Sequence, residues 1–248
     1  MLSKSRLKFI KSLQIKKYRK QERLFLVEGA KSIRELLQSE YKINLLVLTE
    51  EFYKSCHKQV DSMGDIELVL ASQAEIEQAG TFESNEAGIA LVEMQDFDFV
   101  EPEPGNYCLM LDDVRDPGNL GTIIRIADWY GIKSVVCSEQ TAEYYNPKVI
   151  ASSMGSFTRL KPYYGNLEKV LQKTGLPVLG ALLDGNSVHQ SDFPSTGFLI
   201  MGNESNGISE GLRKYVTKPI TIPQFGQAES LNVAVATAVI LDNIKRVI

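Results

Sequence analysis

The chain has 248 residues, 44% of them hydrophobic, with a formal net charge of −4 and three cysteines. That is enough for one large or two modest domains with a sizeable core. No stretch approaches the roughly 18 unbroken apolar residues of a membrane span, and the N-terminus lacks the apolar block of a secretory signal; Cys56, Cys108 and Cys137 are scattered and only His57 and His189 join them, so neither a disulfide framework nor a metal site is indicated and a cytoplasmic protein is expected.

The charge is unevenly placed. Residues 1–21 hold Lys4, Arg6, Lys8, Lys11, Lys16, Lys17, Arg19 and Lys20 and no acid, which makes this segment +8 and the remainder −12. An acidic total is therefore compatible with a nucleic-acid partner held by a local basic arm. A solvated basic helix accounts for the same charge without any partner.

In chain order, "LKFIKSLQIKKYRKQERLFLVEG" reads as one basic amphipathic helix running into a strand at Leu24–Val27, and "AKSIRELLQS" as a surface helix. "INLLVLTE", "IELVLAS" and "AGIALVEM" are predicted strands, with a helix at "QAEIEQAG". These make a small α/β domain over residues 1–96, with "QDFDFVEPEPGN" ending in a linker over 97–106. Alternation then resumes across 107–248: strands at "YCLMLDD", "SVVCS", "FTRL", "PVLGALL", "GFLIMG" and "KPITIP", and helices at "NLGTIIRIADWYG", "NPKVIASSM", near "LEKVLQKT" and from Ser230 to about Lys245. Short, almost wholly apolar strands between helices predict a mostly parallel sheet covered on both faces.

Three polar clusters stand at strand ends, where open α/β sheets hold their ligands. In "DPGNLGTIIRIADWYG", Asp116-Pro117-Gly118 forms a turn and Asn119 is a good helix cap. Arg125 sits among Ile123, Ile124, Ile126 and Ala127, where an unpaired guanidinium is costly; read blandly, it is a surface charge. In "LIMGNESNGIS", Gly202 permits close backbone approach and Glu204 offers a charge, though an ordinary polar turn has the same composition. In "IPQFGQAESLNVAVATAVIL", Glu229 or Ser230 can cap the last helix, whose nearly all-apolar surface predicts burial. Capping explains one polar group there, leaving Asn232 and another without a task.

Generic motifs add little. "PGNLGT" lacks the GxGxxG spacing of a dinucleotide site, which disfavours an oxidoreductase, and no Walker, GxSxG or HExxH sequence occurs.

Taken together and in order, "NLGTIIRIADWYGI", "FLIMGNESNGIS" and "ITIPQFGQAESLNVAVATAVIL" resemble the three motifs of the SpoU (TrmH-like) family in the SPOUT class of RNA methyltransferases, over about Tyr107–Ile248. "RLFLVEG", the following helix and "INLLVLTE" resemble the substrate-binding domain many members carry in front, although "NEAG" stands where such domains often have Pro-Gln-Gly. The resemblance implies a trefoil-knotted α/β domain, S-adenosylmethionine as cofactor, and methylation of a ribose 2′-hydroxyl in RNA by a homodimer. It carries over Asn119, Arg125, Glu204, Ser230 and Asn232 as catalytic residues, and Leu183, Gly202, Asn203, Ile222, Leu231 and Asn232 as cofactor-binding ones. Arg125 would bind a phosphate beside the target ribose and Asn119 would fix that geometry; a guanidinium, with a pKa above roughly 12, is a poor base near neutrality. Lys16, Lys17, Arg19 and Lys20 would hold RNA phosphates. Large-subunit ribosomal RNA is the expected substrate by analogy of the front domain; a tRNA 2′-O-methyltransferase and a non-catalytic ribosome-assembly factor are the alternatives. His57, His189, Trp129 and the cysteines are read as packing or surface residues.

Overall fold

The structure is a computed structural model that describes residues 2–64 and 66–247. It divides into two compact units, Met1–Gln95 with Glu143–Thr158, and Asp96–Ala142 with Arg159–Ile248. The excursion Glu143–Thr158 lies inside the span 107–248 that the sequence reads as one domain, yet it belongs to the first unit.

The first unit begins with α1 (Lys4–Ser12) and α2 (Lys16–Glu22) where the sequence suggests one basic helix. The break has a physical cause: Ile10 and Leu13 are buried, and the guanidinium of Arg19 turns inward to donate to the carbonyls of Leu13 and Gln14 at 2.9 and 2.8 Å, satisfying groups that a helix end leaves orphaned. Then follow β1 (Leu24–Glu28), α3 (Ala30–Leu36), β2 (Ile43–Leu48), α4 (Glu50–Ser62), β3 (Glu67–Leu70), α5 (Gln73–Ala79) and β4 (Gly88–Glu93). Their sheet has the order β1-β4-β2-β3, with β4 antiparallel to both neighbours and β2 parallel to β3. One core gathers Ile10, Leu13, Leu26, Val47, Ile76, Ile89 and Leu91. In the "NEAG" turn, buried Asn85 accepts from the N–H of Ala87 and Gly88 and donates to the Gly88 carbonyl, so one side chain closes the approach to β4.

The second unit carries β5 (Tyr107–Leu111), α6 (Pro117–Trp129) and β6 (Ser134–Cys137) before the excursion, which contains α7 (Pro147–Ser153). After it come β7 (Lys161–Tyr164), α8 (Leu167–Leu171), β8 (Val178–Ser187), β9 (Gly197–Met201), α9 (Glu210–Arg213), β10 (Lys218–Thr221) and α10 (Val233–Lys245). All six strands are parallel, in the order β10-β8-β9-β5-β6-β7. Every residue of β5 and β9 is buried, as a sheet covered on both faces requires, and α10 packs on α6.

Three local expectations need correction. "FTRL" is a tight turn at Ser156–Thr158 rather than a strand, because Phe157 is drawn into an aromatic cluster with Phe25, Tyr41 and Tyr145 of the first unit, 5.9 Å between ring centres from Phe25. Helix α6 starts earlier than expected: Asp116 is the cap, accepting from the Asn119 N–H at 2.8 Å, with Pro117 in the first turn where its missing N–H costs nothing. Helix α10 starts later, and its cap is Asn232, not Ser230 or Glu229.

Candidate active site

The carboxyl ends of β10, β8, β9 and β5 are adjacent in the sheet, so the segments leaving them share one rim. Within β8 the pairing with β10 jumps from Gly180 to Asn186, which leaves Ala181–Gly185 out of register as an arch. Gly185 makes the return possible: a side chain there would sit 2.5 Å from the Ile220 backbone. After β9, Gly202 passes the Gly207–Ile208 backbone so closely that a Cβ would lie 2.2 Å from the Gly207 carbonyl carbon.

Three side chains from three of these segments form one directed hydrogen-bond chain. The Asn232 side-chain oxygen Oδ1 accepts from the N–H groups of Ala234 and Val235 at 2.9 and 3.3 Å, capping α10. Its amide N–H donates to Asn119 Oδ1 at 2.9 Å, and Asn119 Nδ2 donates to Glu204 Oε1 at 2.8 Å. Each amide is thus oriented by bonds at both ends, and the exposed Glu204 carboxylate terminates the series. Fixed orientation of polar groups in a solvent-facing rim is what positioning a polar substrate requires.

Arg125 lies on α6, six residues beyond Asn119. The apolar side of that helix buries Leu120, Ile123, Ile124 and Ala127, whereas Thr122, Arg125 and Trp129 face solvent. The guanidinium is therefore hydrated rather than buried, contrary to the reading from its isoleucine neighbours, and it makes no hydrogen bond or ion pair among the described residues. It is available to an external anion.

The remaining expected residues divide. Leu183 on the β8 arch and Leu231 before α10 are 84% and 51% exposed, apolar side chains open to a ligand, while Gly202 and Ile222 are half-buried. Ser230 is exposed and joins no hydrogen bond among the described residues. Asn203 is not free for a cofactor through its side chain: Nδ2 donates to the Asp113 carbonyl at 2.8 Å, and the oxygen accepts from Ser205 and Asn206 N–H at 2.9 and 3.1 Å. It holds the loop that carries Glu204. Arg19, expected to bind RNA, is 1% exposed and pairs with Glu143 at 2.5 Å in the first unit, so it cannot meet a phosphate. Lys16, Lys17 and Lys20 remain exposed.

Sequence reasoning missed the acids after β5. Asp112 is buried and its carboxylate accepts the Ser209 N–H at 2.8 Å, tying the β5 and β9 loops together. Asp113 adopts a left-handed φ of 62°, which aspartate tolerates better than most residues, and its carboxylate accepts from Arg115 Nε at 2.7 Å. The available signal was a pair of acids ending an otherwise apolar strand.

Two family models match successive parts of the chain. The family described as SpoU rRNA Methylase matches residues 106–242, and the MRM3-like substrate binding domain matches residues 4–90. The chain is 30% identical over 239 residues to the 23S rRNA (guanosine(2553)-2′-O)-methyltransferase RlmP of Bacillus subtilis (strain 168), covering 95% of this chain and 94% of that one. It superposes on a Porphyromonas gingivalis protein assigned to the TrmH family of RNA methyltransferases with a TM-score of 0.83 and 35% identity, covering 99% of each. On the AdoMet-bound rRNA methyltransferase of Sinorhizobium meliloti the TM-score is 0.89, with 28% identity and coverage of 99% of this chain and 97% of that one.

Proposed function

Because the chain belongs to the SpoU rRNA methylase family, we propose that it methylates a ribose 2′-hydroxyl of RNA, in large-subunit ribosomal RNA, with S-adenosylmethionine as the methyl donor. The observation that carries this reading is the Asn232–Asn119–Glu204 chain, together with an exposed, unpartnered Arg125 on the same helix as Asn119.

The rim fits an adenosine-containing cofactor by its chemistry. Exposed apolar side chains on the β8 arch and before α10 suit a purine face, and tightly turned backbone at Gly185 and Gly202 suits its polar edges. Leu183, Gly202, Ile222 and Leu231 would hold it, the first and last by apolar contact. When bound, it supplies a sulfonium methyl group, an electrophile the protein itself lacks. The protein's own contribution is placement. Arg125 grips the phosphate next to the target nucleotide through its fork of N–H donors. Asn119 and Asn232 orient Glu204, whose carboxylate accepts from a ribose hydroxyl or a base edge and so sets the angle of approach. Ser230, on the same loop as Asn232, is a further hydroxyl within the substrate's surroundings. The 2′-hydroxyl proton leaves to water as transfer proceeds.

Residues 1–96 form the substrate-binding part in this reading, with Lys16, Lys17 and Lys20 on phosphates, 97–106 the connection, and 107–248 the methyltransferase domain, knotted by the passage of the segment before α10. A second copy covers the apolar surface of the α6–α10 pair, where Trp129 and Val235 are 84% and 50% exposed. Among the described residues no helix is long and apolar enough to cross a membrane, and a ribosomal substrate puts the work in the cytoplasm.

The test is incubation of the purified protein with methyl-labelled S-adenosylmethionine and either total RNA, which includes tRNA, or ribosomal particles from cells lacking it, followed by ribose-methylation mapping. Label at one ribose of large-subunit RNA, lost in Arg125→Ala, is the expected result. Label on tRNA corrects the substrate, and RNA binding without label on any of these substrates moves the reading to an assembly factor.

A further inference from the structure

Helices α1 and α2 carry a second surface whose composition folding does not explain. Of the eight cations in residues 1–21, two serve the first unit's own structure, Arg6 paired with Glu67 and Arg19 buried against Glu143. Lys4, Lys8, Lys11, Lys16, Lys17 and Lys20 are exposed and form no ion pair among the described residues.

Among these lysines stand three apolar side chains in water. Phe9, Ile15 and Tyr18 are 37%, 54% and 37% exposed, although the apolar residues beside them, Ile10 and Leu13, are fully buried. Ile15 is doubly anomalous: it occupies the cap of α2, where Ser, Asp or Asn would supply a side-chain bond that isoleucine cannot make. The Tyr18 hydroxyl has no partner among the described residues, and the Lys17 ammonium lies 5.9 Å from its ring centre. The three follow one another through the α1–α2 junction: the Ser12 hydroxyl donates to the Phe9 carbonyl within α1, and backbone turns close from the Ile15 N–H to Ser12 and from the Tyr18 N–H to Ile15.

We propose that this face is a stacking site for unpaired RNA bases, with Tyr18 as the central ring, Phe9 and Ile15 flanking it, and the phosphates of the same strand lying on Lys8, Lys11, Lys16, Lys17 and Lys20. The assignment rests on the RNA reading above and narrows it to a single-stranded segment near the target. Ammonium groups alone would hold any nucleic acid. Aromatic and aliphatic faces between them gain nothing from a duplex, whose bases are stacked on each other and recessed in the grooves of A-form RNA, whereas an unpaired base offers its π-face directly. A lipid surface would require a broad apolar stripe, and the residues that could have formed one, Ile10 and Leu13, are committed to the core.

The experiment uses the full chain, a 12-nucleotide single-stranded RNA carrying 2-aminopurine, and a blunt RNA duplex of equal length, titrated over a range of salt. Wild-type protein is expected to quench the 2-aminopurine and to prefer the single strand. Tyr18→Ala should weaken that binding roughly tenfold or more, lose the quenching and leave the salt slope unchanged, with Tyr18→Phe restoring both. Lys16→Ala/Lys17→Ala/Lys20→Ala should instead lower the salt slope. If the lysine variant behaves so while Tyr18→Ala binds and quenches like wild type, or if the duplex binds as tightly as the single strand, the stacking site falls and the RNA reading stands. If wild type binds neither RNA even at low salt, both fall; binding to anionic phospholipid vesicles in place of RNA would reassign the face.

Discussion

Asn119 donates to Glu204 at 2.8 Å across 85 residues of chain, and this one bond joins the loop after β9 to the first turn of α6. The donor is an amide whose oxygen already accepts from Asn232 at 2.9 Å, so its orientation is dictated from the far side. Asn119→Asp inverts the donor into an acceptor and sets two carboxylates face to face. One of the pair then has its pKa raised, so the variant should be nearly inactive at pH 8 and regain activity relative to wild type as the pH falls toward 5, where a shared proton restores a bond. Asn119→Ala should show no such recovery. The pH profile of methyl transfer for both variants checks this.

Arg125 is exposed and unpartnered, so its loss should be silent for folding. Arg125→Ala is expected to unfold within about 0.5 kcal/mol of wild type, as surface substitutions do. Its kcat/KM should nonetheless fall on the order of 100-fold, the cost of about 3 kcal/mol for losing a charge-assisted, bidentate contact. Arg125→Lys should recover only part of this, because an ammonium keeps the charge and loses the fork. Urea denaturation beside steady-state kinetics separates the two roles.

Arg19 and Lys16 are three residues apart and should behave oppositely. Arg19→Ala leaves Glu143 partly buried without its partner and frees the Leu13 and Gln14 carbonyls, which should destabilise the first unit by about 3–5 kcal/mol. Lys16→Ala should change stability by less than about 0.5 kcal/mol and weaken RNA binding at low salt. Denaturation midpoints and a salt titration decide between a structural and a binding role for each.

Burial pushes the thiols of Cys108 and Cys137 up to about 12, and the Tyr107 hydroxyl is likewise raised by burial. Raised folded-state values mean that the folded chain holds these protons more tightly than the unfolded one. Their contribution to stability is then complete below the unfolded thiol range near pH 8.5 and declines as the pH climbs from there toward 12. The urea midpoint should therefore drop between pH 8 and pH 10, and Cys108→Ala/Cys137→Ala should show a shallower drop from a lower start. In native protein at pH 8 both thiols should resist a thiol-specific reagent that modifies them at once in urea.

Much of the architecture was legible before any coordinates. Strands such as "YCLML" and "GFLIM" are apolar throughout, which only a doubly covered sheet tolerates, and they form the centre of the parallel sheet. The clusters around Asn119, Glu204 and Asn232 stood at strand ends by simple alternation, and they lie there. Local misreadings came where two signals competed. Asn119 and Ser230 are both competent caps, but Asp116 with Pro117 and then Asn232 hold the positions, and a cap is chosen by where the backbone turns, not by residue type alone.

The sequence by itself determined the alternation of elements, the +8 arm and the residue types offered at each strand end, because these depend on spacing and composition along a few turns of chain. Only the tertiary structure decided which cations are free and which are spent. Arg19 is buried because Glu143 arrives from 124 residues away, and Arg125 is hydrated because Ile123, Ile124 and Ala127 take the buried side of α6 and leave it on the other. It also decided that Glu143–Thr158 leaves its own sheet to pack with the first unit, through Tyr145 and Phe157 against Phe25. Such outcomes rest on contacts between distant segments, whose energies no local pattern contains.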